Sequence, residues 1–117
     1  MEELELHWLA GLLEGEGYFA KPAPSRPNQP RIIIEMVDED VIAKVSSLLE
    51  RKYWSRSGRS GNQATYLTQI SGRPAVRLMT ELFPLMGQRR QKRIAEIIEL
   101  HQAKNVIPIQ RKRHKTA

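Results

Sequence analysis

Residues 9–17 read Leu9-Ala10-Gly11-Leu12-Leu13-Glu14-Gly15-Glu16-Gly17, and the placement of their small and acidic side chains decides how the rest of the chain is organised. Leu6, Leu9 and Leu13 recur at helical spacing, with Trp8 and Leu12 beside them, so the pattern predicts a helix from about Glu3 to Glu14. Gly11 and Gly15 lie four apart on one helical face, with Ala10 adjacent. Small residues at that spacing let two helix backbones approach closely. Glycine inside a helix costs roughly 1 kcal/mol against alanine, and close packing is the compensation. Glu14 and Glu16 fall at the C-terminal end, where the helix dipole favours cations over anions. Two acids held against that field require a positive partner, and a divalent cation bridging to phosphate supplies one. Two solvated surface acids are the plainer alternative. Gly15 and Gly17 are expected to end the helix, and the aromatic pair Tyr18-Phe19 to begin a strand.

Downstream, the segment from Ala20 to Pro30 holds Pro22, Pro24, Pro27 and Pro30 and reads as a loop or a broken hairpin connection. Arg31 to Val37 is a strand. Asp38 is expected to cap a helix whose apolar stripe is Val41, Ile42, Val45, Leu48 and Leu49. Tyr53 to Ser57 and Gln63 to Ser71 form two further strands, turning at Gly58 and Gly61 as a hairpin. Pro74 starts a helix carrying Val76, Leu78, Met79, Leu82 and Phe83, broken by Pro84 and Gly87. A last helix runs from about Arg89 to Lys104, with Ile94, Ile97, Ile98 and His101 on one face. The order α-β-β-α-β-β-α-α specifies an α+β domain over residues 1–104, with helices covering one face of an antiparallel sheet. Residues 105–117 are expected to form a basic, flexible tail.

That arrangement leaves one sheet face open. Alternation sends Ile32, Ile34 and Met36 to one side of their strand and Arg31, Ile33 and Glu35 to the other. On the hairpin, Trp54 and Arg56 share a side, as do Tyr66 and Thr68, and all four are assigned to the open face. Such a surface has the shape and the donors to lie in a DNA major groove, flanked by Arg26, Asn28, Arg59 and Gln63 in loops. Alternation alone is equally compatible with an ordinary solvated face, and a slip of one residue would invert the assignment.

Composition narrows the function classes. The 117 residues suit one domain and contain no cysteine, which excludes disulfide scaffolds, thiolate metal sites and cysteine nucleophiles. No apolar run approaches the roughly 20 residues needed to cross a bilayer, and acidic residues follow Met1 where a secretory signal would be basic. The chain therefore reads as soluble and cytoplasmic (bacterial, phage or organellar), with no membrane and no small-molecule substrate implied. Lysine and arginine outnumber the acids 19 to 13, a net charge of +6. The excess is concentrated late, at Arg89, Arg90, Lys92, Arg93, Arg111, Lys112, Arg113 and Lys115. Such asymmetry favours a polyanionic partner, although a solvated basic face without a partner has the same composition. His7, His101 and His114 are too scattered to form a ligand cluster.

Residues 9–17 resemble the signature of the LAGLIDADG homing endonuclease family. The match is identical at Leu9, Ala10, Gly11, Leu12 and Gly17, conservative at Leu13, and acid for acid at Glu14 and Glu16; Gly15 is a common variant of the second alanine. The element order αββαββα agrees over roughly residues 3–104. The resemblance implies a saddle-shaped antiparallel sheet, here with an extra C-terminal helix, and a site-specific, Mg²⁺-dependent double-strand DNA endonuclease in which Ca²⁺ or Mn²⁺ can substitute in the site. Family members set two motif helices side by side at a twofold or pseudo-twofold axis. A single copy of the motif implies a homodimer, with Trp8, Gly11, Leu12 and Gly15 at the interface.

By the same resemblance, Glu16 matches the metal-binding acid and the Gly15 carbonyl is a neighbouring ligand, while Glu14 matches a more structural acid. Asp38 falls near a polar residue that orders active-site water. Arg89 falls near a basic residue that stabilises the transition state, with Lys92 as a second catalytic cation beside it and Arg90 as a DNA contact. A metal-activated water attacks phosphorus in line, without a covalent intermediate. Glu16 stands where the family usually has aspartate, and the extra methylene moves the carboxylate by about 1.5 Å, against an active-site tolerance of roughly 0.5 Å. A non-cleaving DNA-binding regulator and an intron-RNA maturase are alternatives on the same fold. No splicing residues flank the chain, and Met1 argues against embedding in an intein.

Overall fold

The computed structural model describes residues 1–58 and 63–116, with side chains as far as residue 103. In chain order the elements are α1 (Glu3–Glu16), β1 (Gly17–Ala20), β2 (Arg31–Met36), α2 (Glu39–Leu49), β3 (Tyr53–Arg56), β4 (Thr65–Ser71), α3 (Arg73–Leu82), a 3-10 turn (Phe83–Leu85) and α4 (Gln88–Thr116). Every strand pair is antiparallel and the sheet order is β1-β2-β4-β3. Two hairpins therefore meet along β2 and β4, leaving the short strands β1 and β3 as edges.

One core joins the sheet to all four helices. Leu9 and Leu13 of α1, Ile42 and Val45 of α2, Leu78, Met79 and Leu82 of α3, and Ile94 and Ile97 of α4 close over Phe19, Ile32, Ile34 and Ile70. Each helix contributes residues three or four apart, the spacing that keeps one stripe against the sheet. Burying a side chain of this size is worth roughly 1.5–3 kcal/mol, so the core fixes which face of each element points outward.

Helix α1 runs two residues beyond the expected Glu14. Its last turn is held from outside: Arg90 donates to the Glu14 carbonyl at 3.1 Å, and the Gly17 N–H returns to the Leu13 carbonyl. Gly15 is thus accommodated inside the helix, and the break falls at Gly17. A Cβ there would lie 2.9 Å from the Leu13 carbonyl oxygen, so only glycine lets the helix pass directly into β1. At the other end of the chain, α4 continues to Thr116 where the sequence suggested a stop near Lys104. No glycine lies in residues 88–116 to end it. Asp38 occupies the cap position of α2 as expected, but its side chain makes no capping hydrogen bond.

The pairing of β4 corrects the face assignment. Ile32 lies opposite Ile70, Ile34 opposite Thr68 and Met36 opposite Tyr66, while Ser55 of β3 pairs with Tyr66. Tyr66 and Thr68 therefore belong to the helix-covered face. Thr68 is 0% exposed, and its hydroxyl donates to the Lys52 carbonyl at 3.0 Å. Period two fixes alternation within a strand but not which parity faces out; that depends on register across the β3–β4 connection.

The C-terminal cap of α2 is Glu50, at φ 56° and ψ 45°. Glycine reaches this left-handed region without a Cβ penalty. Glu50→Gly is expected to stabilise the fold by up to about 1 kcal/mol, read as a rise in the thermal unfolding midpoint. A lower midpoint would show that the Glu50 side chain contributes more than its backbone conformation costs.

Candidate acid site and nucleic-acid interface

Burial of Leu9, Ala10 and Leu13 sets the rotation of α1 and turns the opposite stripe outward. Leu4 is 82% exposed, Trp8 and Leu12 are half-buried, and Gly11 and Gly15 are exposed. The Lys44 ammonium sits 4.0 Å above the Trp8 ring, within cation–π range. A Cβ built at Gly11 or Gly15 would meet nothing within 4 Å, so neither glycine is required by packing inside this chain.

The two motif acids have different surroundings. Glu14 accepts a hydrogen bond from the Gly87 N–H at 2.7 Å and lies 3.9 Å from the Arg90 Nε. With the Arg90 contact to the Glu14 carbonyl, this joins the end of α1 to the start of α4. The sequence-based reading of Glu14 as the more structural acid agrees with this placement. Glu16 is exposed at the last position of α1 and, among the described residues, makes no hydrogen bond or ion pair. The carbonyls of Gly15 and Glu16 beside it lie beyond the reach of the helix's own N–H ladder. No group of three or more His, Cys, Asp or Glu is close enough among the described residues to hold a metal ion, so the carboxylates at this end of one chain do not gather into a cluster.

Strand pairing gathers further polar residues at the same end of the sheet. Gly17 pairs with Ile34, which puts Glu16, before β1, level with the end of β2 that leads to Asp38. Arg56 pairs with Thr65 at that end as well. On the open face Glu35 accepts a hydrogen bond from the Thr65 hydroxyl, and Arg56 Nη1 lies 3.6 Å from its other oxygen. Trp54 is exposed beside them. These groups form a preset line of donors and acceptors on an uncovered surface.

No family model matches the sequence, and no curated protein matches it. Among solved structures, the chain is similar to the homing endonuclease I-CvuI in complex with the I-CreI target in the presence of 2 mM Mg, with TM-score 0.64 and 14% identity over 88% of this chain and 69% of that one. It is similar to the group I intron-encoded homing endonuclease I-CeuI complexed with DNA, with TM-score 0.65 and 18% identity over 93% of this chain and 59% of that one. The archaeal intron-encoded homing endonuclease I-Vdi141I complexed with DNA gives TM-score 0.60 and 15% identity over 85% and 69%. The chain thus spans less than two thirds of I-CeuI. The fold is that of the LAGLIDADG homing endonucleases.

Within this LAGLIDADG fold the residues singled out from the sequence separate into groups. Glu16 and Asp38 are exposed at one end of the sheet; Arg89 and Lys92 are exposed on the first turns of α4. Arg31, Ile33, Glu35, Trp54 and Arg56 lie on the open face. Arg26 and Asn28 are exposed in the β1–β2 loop and Gln63 before β4, while Arg59 lies outside the described residues. Arg90, read from the sequence as facing DNA, turns inward instead: its side chain is 15% exposed and engaged with Glu14. Tyr66 and Thr68 give up their open-face places to Thr65, Leu67, Gln69 and Ser71. The signal for this was Ile70, which draws residues 66, 68 and 70 to the apolar side together. Tyr18, opposite Ile33, was also missed, because a four-residue strand is too short for alternation to be read.

Removing the Glu14 carboxylate hands the exposed Gly87 N–H to water and leaves the buried Arg90 Nε, already without a hydrogen-bond partner, without the counter-charge of Glu14. Glu14→Ala is expected to destabilise the fold by about 2 kcal/mol, measured by urea denaturation. A change below about 0.5 kcal/mol would show that the α1–α4 joint does not depend on this residue.

Proposed function

We propose that the chain is a DNA endonuclease of the homing type, acting on duplex DNA as a twofold homodimer. The observation that carries this reading is a free, exposed carboxylate, Glu16, at the end of a helix whose outward stripe is small and apolar. Gly11 and Gly15 each forfeit roughly 1 kcal/mol of helix stability while having no packing reason inside the chain. Close approach of a second α1 supplies that reason and sets two copies of Glu16 side by side. The open sheet faces of the two protomers then form one surface, with Arg31, Glu35, Trp54, Arg56 and Gln69 toward the bases. The structures of I-CeuI and I-Vdi141I are complexes with DNA, which supports the same class of partner for this chain.

The donor set fits a hard divalent cation such as Mg²⁺, with Ca²⁺ or Mn²⁺ as substitutes: a carboxylate and the helix-end carbonyls of Gly15 and Glu16 are oxygen ligands. One chain offers too few of them; the second Glu16 of the homodimer and phosphate oxygens would complete the set. When bound, the ion supplies an activated water and neutralises charge on the phosphate. The chain's own residues do the rest. Glu16 holds its carboxylate at the point where the two backbones pass, and its extra methylene relative to aspartate extends its reach from the helix end. Lys92, exposed on the first turns of α4, places positive charge beside the charge that develops on phosphorus. Asp38, exposed at the end of β2, accepts a hydrogen bond from water entering from that side.

Two variants test this. Glu16→Gln is expected to retain duplex binding in a mobility-shift assay while Mg²⁺-dependent cutting of a randomised duplex library falls to background; a variant that still cuts would remove Glu16 from the mechanism. Cutting absent in the wild type, with binding intact, would instead identify a DNA-binding module. Gly11→Leu has open space in the single chain and is expected to leave the protomer folded, read as an unchanged far-ultraviolet circular dichroism spectrum. In solution it is expected to sediment as a species of 13.5 kDa, where the wild type sediments at twice that mass. A variant that remains dimeric would place the interface elsewhere.

A further inference from the structure

The first turns of α4 and the outer side of β1 enclose a cleft of about 230 Å³ lined by Tyr18, Phe19, Arg89, Arg90 and Arg93. It holds three guanidinium groups, and no carboxylate lines it. Arg90 faces Glu14, whereas Arg89 and Arg93 make no ion pair among the described residues. Arg93 is fixed in place: its Nε donates to the Phe19 carbonyl at 2.9 Å and an Nη donates to the Tyr18 hydroxyl at 3.2 Å. Of the five N–H donors on a guanidinium, three are still free. Because the Tyr18 oxygen accepts from Arg93, its own O–H is left to donate outward, and Tyr18 is 53% exposed on the open face. Arg89 makes no polar contact among the described residues and is exposed at the rim.

Planar forks with spare donors, a phenol O–H and positive charge outside any ion pair in one concavity are the chemistry that recognises a phosphate oxyanion. Glu16 is two residues before Tyr18, about 7 Å along an extended chain, so the cleft adjoins the acid site without containing it. We propose that this cleft seats a backbone phosphate of the duplex adjacent to the one at Glu16, held by Arg93 and Arg89 with Tyr18 as a third donor. The proposal rests on the DNA-binding reading above and adds a contact that reading does not contain. Its role is positioning: it fixes the register of the backbone over Glu16.

The test is the salt dependence of duplex binding, followed by fluorescence anisotropy in the absence of divalent metal, for wild type, Arg93→Gln and Arg89→Gln. Each phosphate contact contributes about 0.9 to the slope of log K against log salt. Each variant removes one of the two guanidiniums on the same phosphate and is expected to make the slope shallower by up to about 0.9 for every protomer bound. Arg93 supports the edge of β1 and its loss can unfold the chain; Arg89 makes no polar contact among the described residues and carries the test alone if that happens. Wild-type binding with unchanged slopes in Arg89→Gln overturns the phosphate seat and leaves the endonuclease reading standing. A wild type that binds no duplex overturns both. Inorganic phosphate is the other source of the same oxyanion: thermal protection by phosphate at constant ionic strength, lost in Arg89→Gln and accompanied by unchanged duplex slopes, assigns the cleft to the free ion and overturns the duplex assignment.

Discussion

Helix α1 ends at Glu16 and β1 begins at Gly17, with no residue between them. A helix that passes straight into a strand has no loop to absorb error, so the position of its last residue is set by the sheet as much as by the helix. Leu13 packs over the joint, so close to Gly17 that a Cβ could not be admitted there. Phe19, two residues on, is buried in the same core. The Glu16 carboxylate is thereby held by two anchored elements on a backbone with little freedom, while its side chain stays exposed. The remaining parts of the site are placed relative to this joint: β2 by pairing with β1, and α4 by the contacts of Glu14 and Arg90.

Charge in this protein does two jobs that its composition cannot separate. Arg90 caps the end of α1, and Arg93 covers the Phe19 carbonyl on the outer edge of β1, where an unpaired strand edge invites association with another chain. Both belong to the basic cluster that suggested a polyanionic partner, yet each spends hydrogen bonds on the fold. Arg89 and Lys92, their neighbours on α4, point outward. Helical period distributes four cations over two directions, and net charge counts them alike. The acidic residues divide in the same way, Glu14 inward to Gly87 and Arg90, Glu16 outward to solvent.

Much of this was legible in the sequence. The order of elements, the single core and the outward stripe of α1 all follow from apolar spacing, because burial of large side chains dominates the energetics and has a readable period. The parity of β4 was not legible from alternation alone. Its choice depends on how the β3–β4 connection sets register, and Thr68, buried with its hydroxyl satisfied by Lys52, mimics a surface residue in the sequence. The inward turn of Arg90 was hidden for a related reason: its partners are a carbonyl and a carboxylate 76 residues away in the chain, and no local pattern encodes them. Gly15 was read as a terminator because glycine weakens helices on average, whereas here the last turn is supported from α4.

The open face carries one more consequence of pairing. Glu35 contacts Thr65 and Arg56 at once, so one cation of that surface is already paired before any ligand arrives. An exposed pair of this kind contributes little to stability, about 0–1 kcal/mol, and its value lies in orientation. A guanidinium oriented by Glu35 loses less entropy when it meets a base edge in the proposed complex, and the carboxylate beside it can accept from a cytosine amine. In the proposed complex, attraction for the backbone is therefore concentrated near α4 and β1, and discrimination near β2, β3 and β4. The sheet register that displaced Tyr66 and Thr68 from the open face is the same register that brings Thr65 to Glu35. The error in the sequence-based assignment and the preset arginine thus have one structural origin.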